Sequence, residues 1–149
     1  TEPDPRLDLS GTDVARKILI LAREAGYKLE MDDISNMPFL PASCFAGTVG
    51  DFYAEMDKQE SQFRKLLDDA LSIGLKLKYI ASLDDGKASV GLQSIGPDHN
   101  FANLSGKDNA VLFYTNRYAD LPLVIKGAGA GADVTAAGVF ADIIRAARS

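Results

Sequence analysis

The sequence has one cysteine and one histidine, and this scarcity excludes two kinds of site. Cys44 has no partner for an internal disulfide, and the chain offers no cluster of cysteine and histidine at metal-ligand spacing. We therefore expect a reducing, cytoplasmic setting and no metal site. The histidine, His99, lies in a polar loop sequence and is interpreted as a solvated residue.

Long apolar runs and an excess of positive charge are also missing. No stretch approaches the ~18 to 20 consecutive apolar residues of a membrane span, and the first residues do not form a secretory signal. The formal net charge is -5 at pH 7. Because no basic stripe is available to bind phosphates, nucleic acid and anionic membranes are poor candidates as partners. We expect a soluble chain whose partner is a small molecule or another protein.

The 149 residues, 46% of them hydrophobic, are enough for one compact domain. Ser10-Gly11-Thr12-Asp13 precedes an apolar run that extends from Val14 to Ala25 and stops at Gly26. This pattern predicts a helix capped at both ends, with Asp13 closing a capping box on Ser10. Apolar residues occupy most of its circumference, so we expect the helix to be largely buried.

The remaining pattern predicts an α+β fold. Two further helices are expected, at about 48–58 and 61–73, after an irregular proline-containing connection. Alternating residues on both sides of Asp84-Asp85-Gly86 predict a β-hairpin. Two more strands at 110–115 and 121–126 and a final helix at 133–147 follow. This order is typical of a mainly antiparallel sheet with helices packed on one face.

Acidic residues and one lysine are concentrated at the start of the first predicted helix: Glu2, Asp4, Asp8, Asp13 and Lys17. Taken alone, Asp13 and Lys17 are best explained as an ordinary pair at i,i+4, which stabilises a helix by ~0.2–0.5 kcal/mol. Their location favours a functional interpretation, because a lysine on a largely apolar helix is expected to be partly desolvated.

A glycine-rich segment, GAGAGA at 127–132, connects a predicted strand to the last helix. Gly127-x-Gly129-x-x-Ala132 fits the loose form of the dinucleotide fingerprint in the required context. Only residues 133–149 follow, without a second strand to complete the βαβ unit. Two interpretations remain open: a turn whose small residues allow close packing, or a loop beside a nucleotide bound mainly by another part of the protein.

Two blocks of sequence carry a resemblance to a known family. TEPDPRLDLSGTDVARK, residues 1–17, closely resembles the signature segment of homoserine dehydrogenases. PLVIKGAGAG at 122–131, continuing through DVTA at 133–136, resembles the closing motif of the same family. The two blocks bracket the chain. Leu7 is a departure, because the family often has an acidic residue at that position.

The resemblance implies an enzyme that interconverts L-aspartate 4-semialdehyde and L-homoserine with NADP or NAD, in threonine and methionine biosynthesis. It implies that residues 1–126 form a substrate-binding and homodimer-forming domain. Residues 127–149 would return to a nucleotide-binding domain that lies upstream in the family. The chain thus resembles the terminal part of a bifunctional aspartokinase and homoserine dehydrogenase, and we expect it alone to fold and dimerise without catalysing hydride transfer.

The resemblance also implies roles for individual residues. Glu2 would bind the α-amine of the substrate and Asp8 would lie near its reacting oxygen, while Asp13 and Lys17 would serve proton transfer. Gly127, Gly129 and Gly131 would lie near the cofactor. Elementary chemistry agrees in part, because a carboxylate pairs with an ammonium group and a positioned cation stabilises a developing alkoxide. The alternatives are a non-catalytic module that binds an amino acid or dimerises, and an unrelated oxidoreductase subunit sharing the glycine turn by chance.

Overall fold

The computed structural model describes residues 4–148, which divide after Pro97 into two compact units where the length had predicted one. No helix in this described part is long and apolar enough to cross a membrane. Besides short 3-10 turns at Met31–Asp33 and Ala42–Phe45, the elements in chain order are α1 (Pro5–Leu9), α2 (Thr12–Glu24), β1 (Ser35–Met37), α3 (Val49–Ser72), β2 (Lys76–Asp84), β3 (Lys87–Ile95), β4 (Asp108–Thr115), β5 (Tyr118–Ala128) and α4 (Ala132–Ala146).

The first unit is built on a three-stranded sheet in the order β1-β3-β2. β2 and β3 are antiparallel from Lys76 opposite Ile95 to Asp84 opposite Lys87, so the predicted hairpin is confirmed. Its two turn residues, Asp85 and Gly86, both have positive φ, 43° and 76°. This is the conformation that a tight two-residue hairpin turn requires, and it explains the Asp-Gly sequence. β1 adds to the sheet parallel to β3, a strand that the sequence pattern did not predict.

Two hydrophobic clusters support the site-bearing segments of this unit. Ala15 and Leu19 of α2 pack with residues of the sheet and its preceding loop, namely Ile34, Ala88 and Val90. The second cluster consists of Leu40, Cys44 and Phe52. The expectation that α2 is largely buried is wrong: only Ala15, Leu19 and Ala22 are buried, and Ile20 is 60% exposed. In the described structure only this one face of α2 is covered by the small sheet and its loop.

The region predicted as two helices is a single one, α3. The segment between the expected halves, Lys58-Gln59-Glu60-Ser61, contains no glycine or proline, and three of these residues have high helix propensity, so the helix continues through it. At its start, the Thr48 hydroxyl accepts a hydrogen bond from the Asp51 N–H (3.2 Å) and the Asp51 carboxylate accepts one from the Thr48 N–H (2.8 Å). This reciprocal capping box fixes the position of the first turn of α3.

The second unit contains β4, β5 and α4. β4 and β5 form a two-stranded antiparallel sheet from Asp108 opposite Ala128 to Thr115 opposite Tyr118. Both predicted strands and the final helix are therefore confirmed, although the strands are longer than expected. Within residues 4–148 the strands form two sheets rather than one meander. The α+β class is confirmed, with antiparallel pairing between all strands except β1 and β3.

α2 begins at a glycine rather than at a capping side chain. Its N-cap is Gly11, with φ at 76° and no side-chain hydrogen bond, so the predicted capping box between Ser10 and Asp13 is wrong. The Ser10 hydroxyl instead accepts a hydrogen bond from the Thr12 N–H at 3.2 Å. A β-carbon at Gly11 would lie 2.1 Å from the Tyr79 hydroxyl oxygen. Both the backbone conformation and the available space therefore require glycine here.

We predict that Gly11→Ala lowers the free energy of unfolding more than Gly26→Ala does. Gly26 also has positive φ (93°), but nothing lies within 4 Å of the position that a β-carbon would take, so Gly26→Ala should cost about 1–2 kcal/mol from backbone strain alone. Gly11→Ala should cost roughly 1–3 kcal/mol more, because Tyr79 must move. Urea unfolding of both variants tests this, and equal losses would show that the Tyr79 contact is unimportant.

We also predict that the contribution of Asp51 to stability disappears in acid. The N–H and then the hydroxyl of Thr48 hold the pKa of Asp51 below its ordinary value of 3.8. A depressed pKa in the folded state means that the stabilisation is present above pH ~3.8 and is lost as the pH falls through the lower folded value. The difference in unfolding free energy between the wild type and Asp51→Asn should therefore shrink between pH 6 and pH ~3. Asp57→Asn is the control for removing a carboxylate from α3 outside the capping box.

Candidate functional site

The candidate site lies where the short helix α1 meets the start of α2. α1 carries Asp8 and lies against α2, whose first turns carry Asp13 and Lys17. The structure thus places three of the predicted site residues on two adjoining helices of the first unit. Asp8 is exposed, as is its neighbour Leu7. Glu2, the fourth, lies outside the described residues.

Asp13 and Lys17 form an ion pair at i,i+4, with 2.8 Å between the Lys17 Nζ and an Asp13 carboxylate oxygen. The side chains are 61% and 56% exposed, so the expectation that Lys17 is partly desolvated is wrong for this chain. The reason is that Asp13 and Lys17 lie on the uncovered side of α2. As it stands, the pair has the geometry of an ordinary surface pair, whose ammonium group is free to turn toward a ligand at little energetic cost.

α1 is held by a guanidinium contact that the sequence pattern did not reveal. Asp4 caps α1 by accepting from the Arg6 N–H (3.0 Å), and the Arg6 guanidinium donates to both carboxylate oxygens of Asp4, at 2.9 Å from Nε and 2.6 Å from Nη2. This lowers the pKa of Asp4 and raises that of Arg6. The remaining nitrogen, Nη1, donates to the Gly47 carbonyl at 2.8 Å. Arg6 therefore connects α1 to the turn that precedes α3.

The turn between α1 and α2 is held by a second contact. The Asn36 side chain donates from Nδ2 to the Ser10 carbonyl (2.9 Å), and its Oδ1 accepts from the Tyr79 hydroxyl (3.1 Å). Burial raises the pKa of Tyr79, so its hydroxyl remains a donor at neutral pH. No motif signalled this contact, because Ser10, Asn36 and Tyr79 are far apart in the sequence.

The glycine-rich segment has the predicted strand-turn-helix context. Gly127 still belongs to β5, opposite Asn109, and Gly131 immediately precedes α4 with φ at 127°. The Gly129 N–H donates to the Lys107 carbonyl at 2.9 Å, and a β-carbon at Gly129 would lie 1.7 Å from Nδ2 of Asn109. The Asn109 side chain thus fills the space that the absent side chain leaves. This packing fits the interpretation of a turn whose small residues allow close contact.

Two open grooves lie on the surface of the described chain. One follows α3 and is lined by Met56, Asp57, Glu60, Phe63, Arg64 and Leu67. The other lies at the turn between β4 and β5, from Asn116 to Leu121. Neither groove includes Asp8, Asp13 or Lys17. The side chains of Asp8, Asp13 and Lys17 are exposed, so this described part of the predicted site is an open surface, and the position of its charged groups is the evidence for it.

Comparison with known proteins identifies the same family that the signature segment resembles. A family model described as homoserine dehydrogenase matches residues 1–144. The bifunctional aspartokinase/homoserine dehydrogenase 2 of Escherichia coli is 46% identical over 99% of this chain, which spans 18% of that protein. The homoserine dehydrogenase of Emericella nidulans is 42% identical over 97% of the chain, which spans 42% of its length.

Solved structures of similar proteins share the fold of this chain. A Candida auris protein of unknown function superimposes with a TM-score of 0.88 at 42% identity, over 99% of this chain and 42% of that one. A homoserine dehydrogenase from Thiobacillus denitrificans superimposes with a TM-score of 0.69 at 27% identity, over 97% of this chain and 30% of that one. Because the family model covers nearly the whole sequence and the relatives align along its full length, the chain belongs to the homoserine dehydrogenase family.

Proposed function

We propose that the chain is the substrate-binding part of an enzyme that interconverts L-aspartate 4-semialdehyde and L-homoserine with NADP or NAD, a reaction of threonine and methionine biosynthesis. The observation that carries this proposal is the signature segment: its Asp8, Asp13 and Lys17 lie on two adjoining, anchored helices of one unit. The small-molecule substrate and the oxidoreductase class agree with the family.

The rest of the enzyme must supply the nucleotide site. This chain spans 16% to 18% of the bifunctional plant and Escherichia coli relatives and 42% of the Emericella nidulans one. In the glycine-rich turn the Asn109 side chain occupies the space beside Gly129, which supports placing the main nucleotide site elsewhere. We propose that residues 1–126 bind substrate and dimerise, while residues 127–149 bring Gly127, Gly129 and Gly131 beside a cofactor held mainly by a separate domain. That cofactor would supply the hydride.

Each site residue has a separate role toward the substrate. Glu2 pairs with the α-amine and Asp8 lies near the reacting oxygen, because carboxylates are the natural acceptors for ammonium and hydroxyl donors. Lys17 donates a proton to the alkoxide that develops as the aldehyde is reduced, and in the reverse direction it receives that proton. Asp13, 2.8 Å from Lys17, compensates the charge of the ammonium, and it orients the ammonium once another surface covers the pair. A general acid contributes about 10²–10⁴-fold to a rate.

The exposed apolar surface of the second unit supports a homodimer. Leu121, Leu123 and Ile125 alternate along β5 and therefore share one face of the sheet. All three are exposed, Leu121 by 81%. A two-stranded sheet with such a face is marginally stable in water until another surface covers it. We propose that a second copy covers this face, and that the exposed apolar residues of α4, among them Phe140 and Ile143, contact the nucleotide-binding domain.

We predict that Lys17→Ala in the full-length protein lowers kcat by ~10²–10⁴-fold, because the proton donor is removed. The matched control is Lys58→Ala, which also removes an exposed lysine that is paired within a helix, in this case with Glu55, but which lies on α3. Semialdehyde-dependent oxidation of NADPH and NADH measures both. A loss of only a few-fold in Lys17→Ala would overturn its role, and an inactive wild-type protein would favour the non-catalytic binding or dimerisation module.

We also predict that the isolated chain of 149 residues sediments as a dimer and shows no homoserine-dependent reduction of NADP or NAD. Its own residues do not form a dinucleotide site, whereas its exposed β5 face remains available for association. Leu121→Lys should shift the chain toward monomer, since it places a charge on that face. Turnover by the pure chain would contradict the proposal that a separate domain holds the cofactor. A monomeric wild type would contradict the proposed dimer surface.

A further inference from the structure

The segment that carries Asp8 cannot hold its own conformation. α1 has five residues, Pro5–Leu9, none of them fully buried, and its apolar contact with the clusters is that of the partly buried Leu9 with the second one. A helix of this length is unstable in isolation, because nucleation is unfavourable and the few backbone hydrogen bonds do not offset its free-energy cost. The position of Asp8 relative to Asp13 and Lys17 must therefore be set by contacts from outside α1.

The first such contact comes from Arg6. Its side chain is 18% exposed, and its planar donor group is shared between the Asp4 carboxylate and the Gly47 carbonyl. The Gly47 carbonyl is a fixed acceptor, because the next residue, Thr48, is held in the capping box with Asp51. Gly47 itself has φ at 70°, and a β-carbon there would lie 2.6 Å from the Asp51 carboxylate. Arg6 thus ties α1 to a rigid point at the start of α3.

The second contact comes from Asn36, which holds the Ser10 carbonyl. Asn36 is itself held by the Tyr79 hydroxyl, and the Tyr79 ring packs on the first hydrophobic cluster and edge-on against Phe39 at 6.0 Å. The same hydroxyl fills the space beside Gly11. This contact therefore ties the end of α1 and the beginning of α2 to the sheet.

We propose that Arg6 and Asn36 are positioning residues of the dehydrogenase site. Arg6 precedes Asp8 by two residues and Ser10 follows it by two. The backbone on both sides of Asp8 is therefore held, by the Arg6 contact on one side and by the Asn36 contact on the other. Asn36 also fixes the turn from which α2 starts, and with it Asp13 and Lys17. Neither anchor belongs to a hydrophobic cluster, so its loss displaces the site while the core stays folded. This inference rests on the proposed function, because it assigns the anchors to that reaction.

The test compares Arg6→Gln, Arg6→Lys and Asn36→Ala in the full-length protein, with Arg64→Gln as the control. Arg64 is an exposed arginine paired with Glu60 on α3. A displacement of about 1 Å can lower a rate by ~10²-fold, so we expect losses of kcat/KM for homoserine up to that size. Arg6→Gln should act mainly by raising KM for homoserine, since it frees Asp8, and Asn36→Ala mainly by lowering kcat. KM for the dinucleotide should not change in any variant.

Arg6→Lys should recover only part of the activity, because an ammonium group cannot bind the Asp4 carboxylate in a fork and reach the Gly47 carbonyl together. Tyr79→Phe removes the hydroxyl that holds Asn36 and should reproduce the kcat loss of Asn36→Ala in weaker form. These two milder variants provide the test if Arg6→Gln or Asn36→Ala fails to fold, as judged by thermal unfolding.

The outcomes separate this inference from the proposed function. An active wild-type protein whose anchor variants stay within about twofold of the Arg64→Gln control overturns the inference alone. Anchor variants that raise KM for homoserine and for the dinucleotide equally, in parallel with a lower thermal midpoint, overturn it as well, since they show a general structural role. A wild-type protein without homoserine-dependent activity overturns both.

Discussion

The position of α2 depends on the close approach of the Gly11 backbone to the Tyr79 hydroxyl. A left-handed glycine ends the α1 turn and starts α2 with no side chain to cap it, and the tyrosine oxygen lies where a methyl group would be. Because Tyr79 belongs to β2 and packs on the first cluster, this contact brings the helix start into register with the sheet. Asp13 and Lys17 follow within the first two turns, so their location is decided by a backbone contact several residues away.

Elements whose local signals agree could be predicted from the sequence. The β2–β3 hairpin has alternating residues on both sides of an Asp-Gly turn. The two turn residues have the positive φ angles that a tight two-residue turn requires. The end of α2 was predicted to within a residue because Gly26 ends its apolar run, whereas its cap at the start was not. The short strand β1 was missed because three residues carry no periodicity, and its parallel pairing with β3 is set by tertiary packing. The break expected in α3 falls on a segment that consists mostly of good helix formers, so the helix continues through it.

The candidate site was predictable as a set of residues but not as an arrangement. The signature segment pointed to Asp8, Asp13 and Lys17, whereas burial was misjudged, because apolar residues around most of a helix do not guarantee that other elements cover them. Ile20 is the clearest example, since the sheet lies on the opposite face. The anchors Arg6 and Asn36 could not be inferred from spacing, because their acceptors, the carbonyls of Gly47 and Ser10, are 41 and 26 residues away.

The exposure of the ion pair bears directly on how such a site works. With both side chains more than half exposed, the attraction between Asp13 and Lys17 is screened by water and cannot by itself hold the ammonium in a reactive geometry. The position of the site in this chain therefore depends on the backbone. Arg6 ties that backbone to the capping box at the start of α3, and Asn36 ties it to the packed Tyr79. The proposed proton transfer to an alkoxide therefore requires that another surface cover the helices and lower the local dielectric, which would strengthen the same pair. Under this proposal the open arrangement keeps the charges solvated until substrate and covering surface arrive together.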